Sequence, residues 1–189
     1  MAYHSSSIYD LTYLEFDTCR ALITFGLNAL IGRHKKSDTH NAWTGDWDST
    51  NAYDLINYTV SKGYKIDSWE FGKTEEGGAI CHVHFCLIGT YSCICCLLGN
   101  ELSGAGIGAS VGASQYGKDV IKLKQIIHTL YSNSETEPAL IAPGGFYDKE
   151  WYKKLLQTSG SGVINVVTHH IYNLGPGLLA IYSFFHCHS

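Results

Sequence analysis

The residues best suited to chemistry are Asn100 and Glu101, and they stand apart from the strand they ought to end. Residues 66–72 read Ile-Asp-Ser-Trp-Glu-Phe-Gly, a strand pattern, and residues 100–104 read Asn-Glu-Leu-Ser-Gly, the polar lip that follows such a strand. Between them lies a cysteine-rich apolar run, 73–99. Rejoining the flanks puts an Asn-Glu pair at the carboxyl end of a strand, where parallel α/β folds collect their catalytic groups. A glutamic acid beside apolar walls such as Trp69 and Phe71 can hold its proton near neutral pH, because burial disfavours the carboxylate. It can then protonate a departing oxygen as a general acid. Spacing alone also fits a solvated loop glutamate, and Glu70 reads as a strand or rim carboxylate rather than a second catalyst.

The elements that must position this pair alternate. Residues 21–27 form a compact apolar run that suits a strand buried on both faces, ending at Asn28. Ser49 or Thr50 caps a helix with Ala52, Leu55, Ile56 and Thr59 on one face, and Gly63 stops it. A second strand covers 64–71. A helix over 114–131 carries Val120, Leu123, Ile127 and Leu130 at helical spacing. Residues 138–142 make a third strand, ending at Pro143-Gly-Gly-Phe146. Asp148 caps a short helix with Trp151, Leu155 and Leu156 inward, stopped by Gly160. A fourth strand, 163–168, ends in His169-His-Ile-Tyr172. Strand–helix alternation of this kind predicts an α/β fold with a parallel sheet. The fold class expected is a partial (β/α)8 TIM barrel of about four parallel strands, since 189 residues fall short of the roughly 250 of a whole one. Such a piece leaves two open sheet edges. Polar residues follow each strand core, which predicts an active-site rim.

Composition narrows the partners. Net charge is −4 and no Lys/Arg block occurs, which excludes a basic nucleic-acid binder. Of the seven cysteines, five (Cys81, Cys86, Cys93, Cys95, Cys96) lie in the run 73–99, whereas a disulfide framework spreads its cysteines over the whole fold. That run lacks paired C-x2-C spacing, so it is a poor zinc site. Adjacent histidines such as His169 and His170 point to opposite faces of a strand and seldom share one ion. Neither a metal nor a cofactor is expected. Residues 79–98 are long enough to cross a bilayer, but His82, His84 and the middle-of-domain position speak against it. A loosely packed insertion is the better account. Residues 104–109 fit a dinucleotide-type glycine pattern on paper, yet they do not open from a strand into a helix; they read as a loop over the site. Residues 1–20 lack a secretory signal's apolar core.

Several of these segments, in order, resemble one family. Phe25-Gly-Leu-Asn-Ala-Leu30, Trp47-Asp-Ser-Thr-Asn-Ala52 and Tyr58-Thr-Val-Ser-Lys-Gly-Tyr64 are among them. So are the rejoined Ser68-Trp-Glu-Phe-Gly72 with Asn100-Glu-Leu-Ser-Gly104, then Ala142-Pro-Gly-Gly-Phe146 and Thr168-His-His-Ile-Tyr172. Together they are similar to the plant heparanase-like proteins of glycoside hydrolase family 79. The resemblance implies a barrel whose third to sixth strands are those above. It implies a retaining β-glucuronidase type of activity on the O-glycosyl bonds of glucuronic-acid-containing polysaccharides or glycoprotein glycans. It also implies Glu101 as proton donor, Asn100 as its substrate-binding neighbour, and Asn28, His169 and Tyr172 on the sugar-binding rim. A secreted or membrane-associated location is implied by the family alone.

The departures divide the chain into an atypical segment 1–20, a partial glycosidase barrel 21–177 interrupted by 73–99, and a non-family tail 178–189. The family's nucleophile lies on the seventh strand, beyond these four, so no turnover is expected from this chain alone. The alternatives are a non-catalytic fragment or binding module, or a small membrane-associated protein through 79–98. The 27 inserted residues, 73–99, are rich in residues with T-rich codons, which fits a translated intron, and the tail 178–189 is read the same way.

Overall fold

A computed structural model of the chain describes residues 22–39, 41–72, 83–86, 93–94, 102–103 and 109–170; of 83–86, 93–94 and 170 it describes the backbone alone. The strands in chain order are β1 (Leu22–Asn28), β2 (His34–Lys35), β3 (Ala42–Thr44), β4 (Ser68–Gly72), β5 (Val83–Cys86), β6 (Cys93–Ile94), β7 (Ser110–Val111), β8 (Ala139–Phe146) and β9 (Val166–His170). The helices are α1 (Thr50–Ser61), α2 (Ala113–Leu130) and α3 (Lys149–Ser159).

The main sheet runs β6-β5-β1-β4-β8-β9, and its β1-β4-β8-β9 part is parallel throughout. These are the four expected strands, laid side by side in sequence order with a helix between each pair. A doubly wound sheet reverses its order at a switch point. This one does not, so the helices stack along one side. The apolar faces of α1, α2 and α3 share a single core with Ile23, Phe25, Leu27, Trp69, Phe71, Leu140 and Ala142 of the strands.

Strand phase follows the two-residue period. In β1, Ile23, Phe25 and Leu27 are buried, while Thr24, Gly26 and Asn28 are only partly so. The expected burial on both faces is therefore not met there; it is met in β4, where all five residues are buried. On β4, Trp69 lies against Phe25 at a ring separation of 6.0 Å, and Phe71 meets Trp47 edge-on at 4.6 Å and Tyr116 at 5.1 Å. Both aromatics thus face the helices, and Ser68, Glu70 and Gly72 face the other way.

Helix boundaries follow local chemistry. Asp48 accepts from the backbone N–H (3.0 Å) and hydroxyl (2.7 Å) of Thr50 at the start of α1, and these two bonds hold its carboxyl below the usual carboxylate range. Gly63, at φ +69°, follows its end. Asp148 accepts from the N–H groups of Glu150 (3.1 Å) and Trp151 (3.0 Å) and caps α3. The buried stripe of α3 is Tyr152, Leu155 and Ser159. The inward position expected for Leu156 is corrected: it is 44% exposed, because the stripe is centred one side of it on the helical wheel. Helices α2 and α3 approach closely at Gly117, where an added Cβ would stand 2.9 Å from the Cβ of Thr158.

The run 73–99 is not wholly outside the fold. Its strand β5 pairs antiparallel with β1 (Leu22↔Cys86 to Phe25↔Val83), and β6 pairs with β5. The β1 edge, expected to be open, is therefore paired by two short strands of the insertion, and the sheet ends at β6 instead. The rest of the run, with most of the 79–98 stretch, lies outside the described residues. Among the described residues no helix is long and apolar enough to cross a membrane.

Candidate active site

The carboxyl ends of the four parallel strands lie along one edge. Asn28 of β1 is in register with Gly72 of β4, and Pro143 and Gly145 of β8 with Thr168 and His169 of β9. With strands about 4.8 Å apart, the row from Asn28 to Thr168 spans about 14 Å. Two of the sequence-predicted rim residues, Asn28 and His169, are on this edge. Glu101, Asn100 and Tyr172 lie outside the described residues.

Backbone chemistry shapes the edge. The Asn28 side-chain oxygen accepts from Leu30 N–H at 2.9 Å, turning the chain out of β1, and the Asn28 carbonyl accepts from the Trp47 indole N–H at 2.9 Å. The loop that follows is pinned by Arg33, 7% exposed, which donates to the carbonyls of Ala29 (2.7 Å) and Gly45 (2.6 Å) and to Asp119 of α2. Burial raises the Asp119 carboxyl even though Arg33 and Gln115 favour its charged form. In β8 the Ala142–Pro143 bond is cis and Gly144 sits at φ +59°, with its N–H donating to the Thr168 hydroxyl at 3.1 Å.

The two described residues next to Glu101 in sequence return to this edge. Leu102 is fully buried and its carbonyl accepts from Val111 N–H at 3.1 Å. Ser103 is buried and its hydroxyl donates to the carbonyl of Phe146, the last residue of β8, at 2.7 Å. The chain thus leaves the sheet at Gly72, spends the inserted run partly on the far edge of β1, and comes back beside the end of β8.

One expectation about the acid's surroundings changes. Trp69 and Phe71 do not wall the edge; both point into the helix-side core, since the strand's alternation sends them there together. Of the two places expected for Glu70, strand or rim, it takes the strand. It is 5% exposed in mid-strand, opposite Gly26 and Ile141 on the face away from the helices. Below the edge, the Tyr116 hydroxyl donates to the Phe71 carbonyl, and full burial, with Glu70 nearby, pushes its phenol well above its ordinary value. The single Tyr152 O–H is shared between the carbonyls of Gly145 (3.1 Å) and Thr168 (2.9 Å), bridging the ends of β8 and β9, and burial raises its phenol too.

The sequence pattern missed one exposed group. Tyr147, directly after β8, is 64% exposed, with its ring 5.4 Å from that of Tyr152 and 6.1 Å from that of His169. Its position one residue before the Asp148 cap was the available signal. Among the described residues no cluster of three His, Cys, Asp or Glu side chains is placed to hold a metal ion.

Comparison with known proteins bears on what this edge does. The sequence profile of glycosyl hydrolase family 79, N-terminal domain, matches residues 7–84 and 75–181. The chain is 52% identical to heparanase-like protein 2 of Arabidopsis thaliana over 162 residues, which are 86% of this chain and 25% of that protein. It is 32% identical to the baicalin-beta-D-glucuronidase of Scutellaria baicalensis over 165 residues, 81% of this chain and 26% of that one. With the heparanase of Gallus gallus it shares 25% identity over 154 residues, 79% of this chain and 22% of the relative. The chain spans about a quarter of the length of the curated relatives it matches.

Proposed function

Since the chain belongs to glycosyl hydrolase family 79, matching its N-terminal domain over most of its length, we propose that it carries part of the catalytic rim of a (β/α)8 barrel hydrolase of the retaining β-glucuronidase type. The substrate class is a glucuronic-acid-containing glycan, in keeping with relatives named heparanase and β-glucuronidase. The single observation that carries the reading is the return of Leu102 and Ser103 to the carboxyl-terminal edge beside Phe146. Glu101 is the residue before Leu102 in the chain, and on this reading it supplies the acid that protonates a glycosidic oxygen.

In this mechanism one carboxyl group attacks the anomeric carbon and a second, about 5–5.5 Å away, protonates the leaving oxygen. Glu101 is the second. Asn100 hydrogen-bonds the 2-hydroxyl, a contact that strengthens as the oxocarbenium-like transition state forms. Asn28, His169 and Tyr172 line the sugar. The nucleophile belongs to the seventh strand of the family's barrel, past the four strands here, and the insertion separates Glu101 from β4. This chain alone therefore binds without turning over, and the family's secretory or membrane-associated location is proposed with the activity.

The test uses a graft. Residues 21–72 joined directly to 100–177 replace the corresponding segment of heparanase-like protein 2, and hydrolysis of an aryl β-glucuronide is followed. Activity is expected, and Glu101→Gln is expected to abolish it; a graft in which Glu101→Gln hydrolyses at the unsubstituted rate refutes the assignment. The 189-residue chain assayed in parallel shows no turnover, and Glu101-dependent hydrolysis by it defeats that part of the proposal. A graft that is inactive yet still binds the glucuronide supports instead a second reading, a non-catalytic glycan-binding module.

A further inference from the structure

The exposed ring of Tyr147 has no structural task that explains its position. Exposed aromatic side chains occur singly on most surfaces, but this one is held rigidly from both sides. Behind it, the Phe146 carbonyl accepts from Ser103, and the Gly145 carbonyl accepts from Tyr152. Ahead of it, Asp148 is fixed as the cap of α3 by two backbone N–H groups. The ring itself rests between those of Tyr152, at 5.4 Å and 51°, and His169, at 6.1 Å and 58°. A tyrosine so held has little conformational freedom left to lose on binding, and that makes a contact with its face strong for its size.

The platform stands one residue beyond β8, on the same edge as Gly145 and His169. A β-glucuronide ring carries its substituents equatorially, so each face presents a set of axial C–H groups and is apolar in its centre. Such a face packs flat on an aromatic ring, whose negative face attracts the polarised C–H edges. The hydroxyls at the rim of the sugar then need polar partners, and the exposed imidazole of His169 supplies ring nitrogens beside the platform.

We propose that Tyr147 is a sugar-stacking residue, on which the pyranose ring of a glucuronic-acid-containing glycan lies flat with His169 at its edge. The proposal rests on the glycan-binding reading above and adds the residue that recognises the ring.

The experiment is saturation-transfer NMR on the full 189-residue chain with methyl β-D-glucuronide, whose methyl aglycone is too small to stack by itself. Irradiating the protein's aromatic protons is expected to favour one axial set of sugar protons, H1/H3/H5 or H2/H4. Tyr147→Phe and Tyr147→Trp keep the pattern, and Tyr147→Ala weakens binding about tenfold, with only a small drop in the thermal melt because the ring is largely exposed. Equal binding by the wild type and Tyr147→Ala overturns the platform and leaves the hydrolase assignment standing. No transfer to the glucuronide from the wild-type chain overturns the platform and binding by this chain alone, while the graft decides the hydrolase assignment separately.

Discussion

The helix-side face of the parallel sheet and its carboxyl-terminal edge are built from the same strands, often from residues one or two positions apart, yet they obey different rules. On the helix side, Phe25, Trp69, Phe71, Leu140 and Ala142 are completely buried, and the strands meet the helices through stacked and edge-on rings. On the edge, Asn28, Tyr147 and His169 stay partly or largely in water, while bonds from Trp47, Ser103 and Tyr152 hold the carbonyls of Asn28 itself and of Phe146 and Thr168, the residues just before Tyr147 and His169. Core packing supplies the free energy; the edge uses that rigidity to hold side chains in place without burying them. The difference teaches where substitutions should be silent in one assay and loud in the other.

The largest expected effect is on the helix side. Phe71→Ala removes a ring packed against Trp47 and Tyr116 and should cost about 3–5 kcal/mol in a denaturant melt. Binding at Tyr147 should survive wherever the protein remains folded. A loss below about 1 kcal/mol would mean that the core can collapse around the gap.

Next comes the seam between α2 and α3. Gly117→Val forces a Cβ to within 2.9 Å of the Thr158 Cβ, in the body of a side chain rather than at a flexible tip. Overpacking of this kind costs about 1–3 kcal/mol, read as a lowered denaturation midpoint. An unchanged midpoint would show that the two helices can slide apart.

The smallest effect is on the surface, where Glu137 meets Lys124 at 2.6 Å and His128 at 2.8 Å. Partial burial works to raise the Glu137 carboxyl, but the hydrogen bonds and charges of Lys124 and His128 outweigh it and hold it below its ordinary 4.5. A carboxylate held low in the folded state stabilises above the unfolded value, and that stabilisation is lost as pH falls through the folded one. With side chains 22% and 29% exposed, the contribution is a few tenths of a kcal/mol, about 1 at most. Melts of the wild type and Glu137→Gln should therefore converge as pH falls from neutral to below the ordinary 4.5. Parallel curves across that range would remove the pair from the account.

Much of this was legible in the residues. The alternation of apolar runs with capped, amphipathic helices predicted four parallel strands in chain order, and Asp148, Gly63 and Gly160 marked helix ends within a residue or so. The phase of Trp69-Glu-Phe71 was not legible: three bulky or charged residues in a row fit either facing until the neighbours on β1 and α2 are in place. Leu156 was misread for a related reason, since a short helix with apolar residues at 151, 152, 155 and 156 has two candidate stripes, and the surface it packs on chooses between them. The pairing of Val83–Cys86 with β1 was hidden as well, because strand partners distant in sequence leave no mark on local pattern.

The sequence by itself determined what depends on neighbours along the chain: where helices start and stop, which runs extend, and which family the motifs belong to. Only the tertiary structure decided which way each strand faces, that two short strands of the insertion pair onto β1, and that Tyr147 comes to lie beside His169. Those outcomes rest on contacts between residues far apart in the chain, whose geometry is set by packing and not by spacing.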